Sequence, residues 1–145
     1  MKKYLILIAA IVADYNLNVI TSANLPQIHL IALYLISISS SSLSIMVLFL
    51  FGMVHDILNM NPIGLTATLY ITMYAYILYY QKKDNIHNSH LSPFIKSIIL
   101  LTCIEWLLLS FHHLVVVPIR GMLFSQGLTI LTYLLISKFN HKDAP

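Results

Sequence analysis

Asp14, Asp56, Glu105 and Arg120 are ionisable residues set in or beside long apolar runs. A charge in an apolar helix is costly unless it is paired or hydrated, so each is a candidate functional group. Asp14 lies ten residues past Tyr4, about 15 Å along a helix, and Glu105 lies eleven past Phe94, about 16 Å. Both are expected near the middle of their segments and facing the interior. His55 and Asp56 fall near the end of the third apolar segment. His112 and His113 fall at the end of the fifth, close in sequence to Arg120. Two readings fit these positions. One is a polar cavity or proton relay. The other is a set of satisfied pairs, such as Asp56 or Glu105 with Arg120, a helix end or a serine.

More specific chemistry is hard to assemble. Glu105 and His112 share a helix face, but two turns separate them by about 10 Å. His112 and His113 point about 100° apart, and no chelating i, i+4 pair of the HExxH kind is present. Ser110, His112 and Glu105 are the residue types of a catalytic triad, but on one helix they do not converge. There is no GxSxG elbow and no Walker lysine loop. No catalytic residue, metal or cofactor is expected. Cys103 is the single cysteine, which rules out an intrachain disulfide. Its apolar neighbours suggest a small buried hydrophobe.

The elements that must position these groups follow from composition. Of 145 residues, 59% are hydrophobic and 9% charged, and mean hydropathy is +0.83. So few charges cannot cover the surface of a small soluble domain, and disorder needs the opposite composition. The net charge of +3 is not clustered into a basic face, which argues against nucleic acid. Six apolar segments are predicted: Tyr4 to Ile20, Ile28 into the serines at 37–42, Leu43 to Leu58, Ile63 to Tyr80, Phe94 to Phe111, and Arg120 to Lys138. The second and third are short for full spans. Breaks are expected at Asn24-Leu25-Pro26, at Asn59 to Pro62, over Gln81 to Pro93 and at Pro118. Asn61 is expected as a helix N-cap with Pro62 as the first helical residue. The chain reads as one all-α integral membrane domain, 1–145, of about six transmembrane helices.

With the N-terminus inside and six crossings, seven of the eight basic residues fall on the inner side and only Arg120 outside. This bias predicts a multi-pass protein with both termini cytoplasmic. Tyr79 and Tyr80 precede Lys82, where an interfacial aromatic belt belongs. The Met-Lys-Lys start resembles a signal peptide, but the cleavage pattern is poor, and an uncleaved first helix is expected. Small residues four apart, Ala9 and Ala13, Gly64 and Thr68, Gly121 and Ser125, suggest close helix contacts.

The most specific run extends from Phe49 to Leu65. Gly52 and Asp56 lie one turn apart on one helix face. Gly52 admits a close neighbour, and Asp56 is placed to accept hydrogen bonds from the free N–H groups that start the next helix. With Pro62 and Gly64 in the same spacing, this run resembles the signature of the rod shape-determining protein MreD family. The family often has Ser-Gly in the turn, where this chain has Asn59-Met60. The resemblance implies a non-catalytic inner (plasma) membrane component of the bacterial cell-elongation machinery, scaffolding lateral peptidoglycan synthesis. The implied partners are MreC and, through it, MreB and wall-synthesis enzymes, with no nucleic acid and no substrate. It also implies a fold similar to the substrate-binding subunits of energy-coupling-factor transporters. A vitamin-type substrate-binding subunit is therefore the alternative, with Ala9-x3-Ala13 as its docking feature.

Overall fold

Apolar runs bounded by Asn, Pro and Gly become helices because a helix satisfies its own backbone while leaving every side chain free to pack. The computed structural model describes residues 2–21, 26–39, 43–83, 91–111 and 119–140. The expected break at Asn24-Leu25, the serines 40–42, residues 84–90 of the polar loop, and His112, His113 and Pro118 lie outside them. Within the described residues the fold is all-α with six helices. These are α1 (Lys2–Thr21), α2 (Ile28–Ser39), α3 (Ile45–Leu58), α4 (Leu65–Lys83), α5 (Leu91–Phe111) and α6 (Ile119–Asn140). Pro93 stands in the first turn of α5, where its missing N–H has no partner to lose.

Helix α2 lies at the centre. It packs on α1, α4 and α6; α3 lies chiefly on α4, and α5 joins α4 to α6. Eight of its twelve residues are buried, from His29 to Ser37. At about 18 Å it is a short helix, and the free backbone groups at its two ends need partners. Other helices supply them. The Ile28 and His29 N–H groups donate to Asp14 of α1 (3.1 and 2.9 Å), and the Gln27 N–H donates to Thr129 Oγ1 of α6 (2.8 Å). At the far end, Gln81 Nε2 of α4 donates to the Ser37 and Ile38 carbonyls (3.3 and 3.4 Å). The same device serves the start of α3, where the Leu43 N–H donates to the Tyr74 hydroxyl at 3.1 Å. An aromatic cluster ties α2, α5 and α6 together: Phe94 stacks on Tyr133 at 3.9 Å, and Tyr34 meets Phe94 edge-on at 4.8 Å.

The α3–α4 turn differs from the sequence expectation. Helix α4 begins at Leu65, so Asn61 is not its N-cap and Pro62 is not its first residue. Instead α3 ends in a Schellman arrangement, with the Asn61 N–H donating to the Asp56 carbonyl (2.9 Å) and the Met60 N–H to that of Ile57 (3.4 Å). Met60 takes the left-handed backbone (φ 54°) at the position this motif usually gives to glycine. Gly64 also has positive φ (94°) and leads directly into α4.

The outside of the helices is apolar. Leu5, Met46, Ile57, Trp106, Phe124 and Leu135 are all exposed. Cys103 is exposed as well, which corrects the expectation of a buried thiol: it lies on an outward face of α5, near exposed Ile99 and Trp106. Among the described residues, one helical stretch, Ser92–Ser110, is long and apolar enough to cross a membrane; α2 and α3 are apolar but shorter.

Candidate functional site

The polar side chains gather where α2 begins. Asp14 is 4% exposed, His29 and His55 each 5%, and Asp56 0%. They come from α1, α2 and α3. The His29 imidazole Nδ1 contacts the Asp14 carboxylate directly. The His29 and His55 rings lie 4.2 Å apart, tilted by 47°, and the Tyr70 ring lies 5.6 Å from that of His29. His55 Nδ1 is 3.2 Å from Thr66 Oγ1, the one bearing a hydrogen toward the other. His55 Nε2 and the Tyr70 hydroxyl are buried with no hydrogen-bond partner among the described residues.

Asp56 stands beside this group but faces the next helix. Its Oδ2 accepts the Gly64 N–H at 2.9 Å, and both carboxylate oxygens accept the Thr66 N–H, at 3.0 and 3.1 Å. A carboxylate here neutralises the positive end of α4 and satisfies two of its orphan donors. Gly52, one turn earlier, explains how α4 comes so close. A Cβ at residue 52 would lie 2.3 Å from the Ala67 Cα and 2.4 Å from its nitrogen. Pro62 shapes the turn between them, its carbonyl accepting the Leu65 N–H at 3.1 Å. Gly52, Asp56, Pro62 and Gly64 thus form one brace between α3 and α4.

Glu105 belongs to a second polar strand of the site. Gln126 Nε2 of α6 donates to Glu105 Oε2 (3.4 Å) and to Gln27 Oε1 (3.2 Å), so α5, α6 and the entry to α2 are linked. Asp14 is buried, and Glu105 is half-buried. Arg120 does not join them. It is exposed at the start of α6, and the pairing of Asp56 or Glu105 with Arg120 is replaced by the N–H groups of α4 and by Gln126.

Sequence reasoning passed over His29, Thr66, Gln126 and Thr129. Only His29 carried a signal: an ionisable residue second in the apolar segment that begins at Ile28. The others become polar partners only once helices distant in sequence meet. Spacing within single helices offers no chelating pair. The structure instead brings together one ligand-bearing side chain from each of three: the candidate atoms of Asp14, His29 and His55 all lie within 4.8 Å of one another. Comparison with protein-family models, with curated proteins and with solved structures finds no match to this chain.

Proposed function

We propose that this chain is a non-catalytic, multi-pass component of the bacterial inner membrane that scaffolds lateral peptidoglycan synthesis, as MreD-like proteins do. The observation that carries this reading is the α3–α4 brace. The four residues that resemble the MreD signature are each engaged in one structural device, with Gly52 against the Ala67 backbone and Asp56 on the Gly64 and Thr66 N–H groups. Such a brace gives a rigid helix pair, which suits a partner surface. MreC is the proposed partner, with MreB and wall-synthesis enzymes reached through it.

The membrane part of the proposal rests on the distribution of polarity. Apolar side chains face outward while Asp14, His29, His55, Asp56 and Thr129 are buried. That pattern suits a lipid solvent, in which buried backbone ends must find partners within the protein. The proposed topology has both termini cytoplasmic, supported by the basic residues and by Lys96 lying over the Tyr80 ring at 5.9 Å near the same end. Reporter fusions at Asn88 and after Pro145 should both read cytoplasmic, and a periplasmic C-terminus would overturn the six-span topology.

Depletion in a rod-shaped host tests the function. Cells should round up and widen, wild-type protein should restore rods, and Gly52→Leu should fail to do so at matched membrane levels. Cells that stay rod-shaped but lose uptake of a vitamin would replace the scaffold with the transporter subunit.

A further inference from the structure

We propose that Asp14, His29 and His55 bind one divalent transition-metal ion of the zinc class, clasping α1, α2 and α3 at the buried start of α2. This inference is independent of the elongation reading. It rests on the geometry of the cluster and on the chemistry of its donors.

The donor set is two imidazoles and one carboxylate. Three protein ligands of this kind, with a fourth position for water, are a recurrent zinc arrangement. Magnesium and calcium are disfavoured, because they prefer oxygen-rich shells. The candidate ligand atoms lie within 4.8 Å of one another, so small side-chain rotations bring them to a common centre. All three side chains are buried, which excludes the loose exposed carboxylate clusters that form by chance.

The surroundings of each ligand fit as well. A metal-bound histidine usually has its second ring nitrogen held by another polar group, which fixes its orientation. His55 meets this condition: Thr66 Oγ1 lies 3.2 Å from Nδ1, while Nε2 is buried and unpartnered. The Asp14 carboxylate is likewise oriented, by the Ile28 and His29 N–H groups. The Tyr70 hydroxyl, buried beside His29 and also unpartnered, is a second polar atom that a metal-bound water could satisfy. The His29 Nδ1 and Asp14 oxygen are in direct contact, and such a contact needs a proton or a cation to offset lone-pair repulsion. A neutral His29 has one ring proton, and a metal at Nδ1 moves it to Nε2 by a change of tautomer, with no net release.

The test uses the full chain, purified in detergent with an affinity tag that contains no histidine, stripped with chelator and titrated with Co²⁺. About one Co²⁺ per chain is expected, with the visible absorption of a four-coordinate ion. His55→Gln should abolish that absorption while the helical circular dichroism is kept. Thr66→Val retains all three ligands but removes the group that orients His55, and should weaken Co²⁺ binding about tenfold. If His55→Gln fails to fold, Thr66→Val carries the test. His112→Gln/His113→Gln should bind as the wild type does. Binding of less than about a tenth of an ion per wild-type chain would overturn the site. So would binding unchanged in both His55→Gln and Thr66→Val, or binding lost in His112→Gln/His113→Gln.

Discussion

Asp14 and Asp56 perform the same task in two helix hairpins. Each sits on one helix and accepts the first N–H groups of the next, Asp14 from Ile28 and His29, Asp56 from Gly64 and Thr66. They differ in how the chain gets there. Asp56 reaches its donors across a tight Schellman turn with glycine at its back, so the whole device lies between residues 52 and 67. Asp14 lies two turns before the end of α1, and its donors begin fourteen residues later, at the entrance of a helix enclosed by α1, α4 and α6. The first hairpin also carries a histidine side chain against its carboxylate, whereas the second uses backbone donors only. A cap built from local residues braces two helices. A cap built across a fold becomes part of a buried polar site.

The largest expected effect strikes the local brace. Gly52→Ala places a methyl group 2.3 Å from the Ala67 Cα, and a backbone atom cannot rotate aside. It should cost about 3 kcal/mol, read as a lower unfolding midpoint in detergent. A loss below about 0.5 kcal/mol would mean that α3 and α4 slide apart freely.

Paired amide substitutions sharpen the comparison. Asp14 uses both oxygens for different donors, so Asp14→Asn must turn an NH₂ toward an N–H and should cost about 2–3 kcal/mol. Asp56 Oδ2 by itself reaches both Gly64 and Thr66, so the Asp56→Asn carbonyl can keep a bond to each donor; its NH₂ then replaces only the second, shared bond to the Thr66 N–H, and the cost should be lower, about 1–2 kcal/mol. Denaturant unfolding of the two variants should rank them in that order; the reverse order would break the proposed distinction.

The smallest effect has the opposite sign. Met60 holds a left-handed backbone conformation with its side chain 95% exposed. Met60→Gly removes the steric cost at the loss of almost no packing, and should stabilise the second hairpin by about 0.5–1 kcal/mol. Thermal unfolding that shows destabilisation would mean that Met60 is not strained.

The apolar runs and their breaks determined the six helices to within a few residues, because helix formation depends on local pattern and on local stop signals. The Gly52–Gly64 hairpin was legible for the same reason: its partners lie within one turn and a short loop. The start of α4 was misread because Gly64 with positive φ, its N–H held by the Asp56 carboxylate, supplies the entry to the helix, where the sequence offered a conventional Asn-Pro cap. The outward face of Cys103 was misread because apolar residues of α5 lie on both its inward and its outward side, Ile98 and Leu101 on one and Ile99 and Leu100 on the other, so the pattern does not tell exterior from core. The Asp14, His29 and His55 cluster was decided by tertiary structure alone. Its members are 15 and 26 residues apart, and no periodicity links them. They meet because a short, buried α2 brings its unsatisfied N-terminus to a carboxylate on α1 and an imidazole on α3.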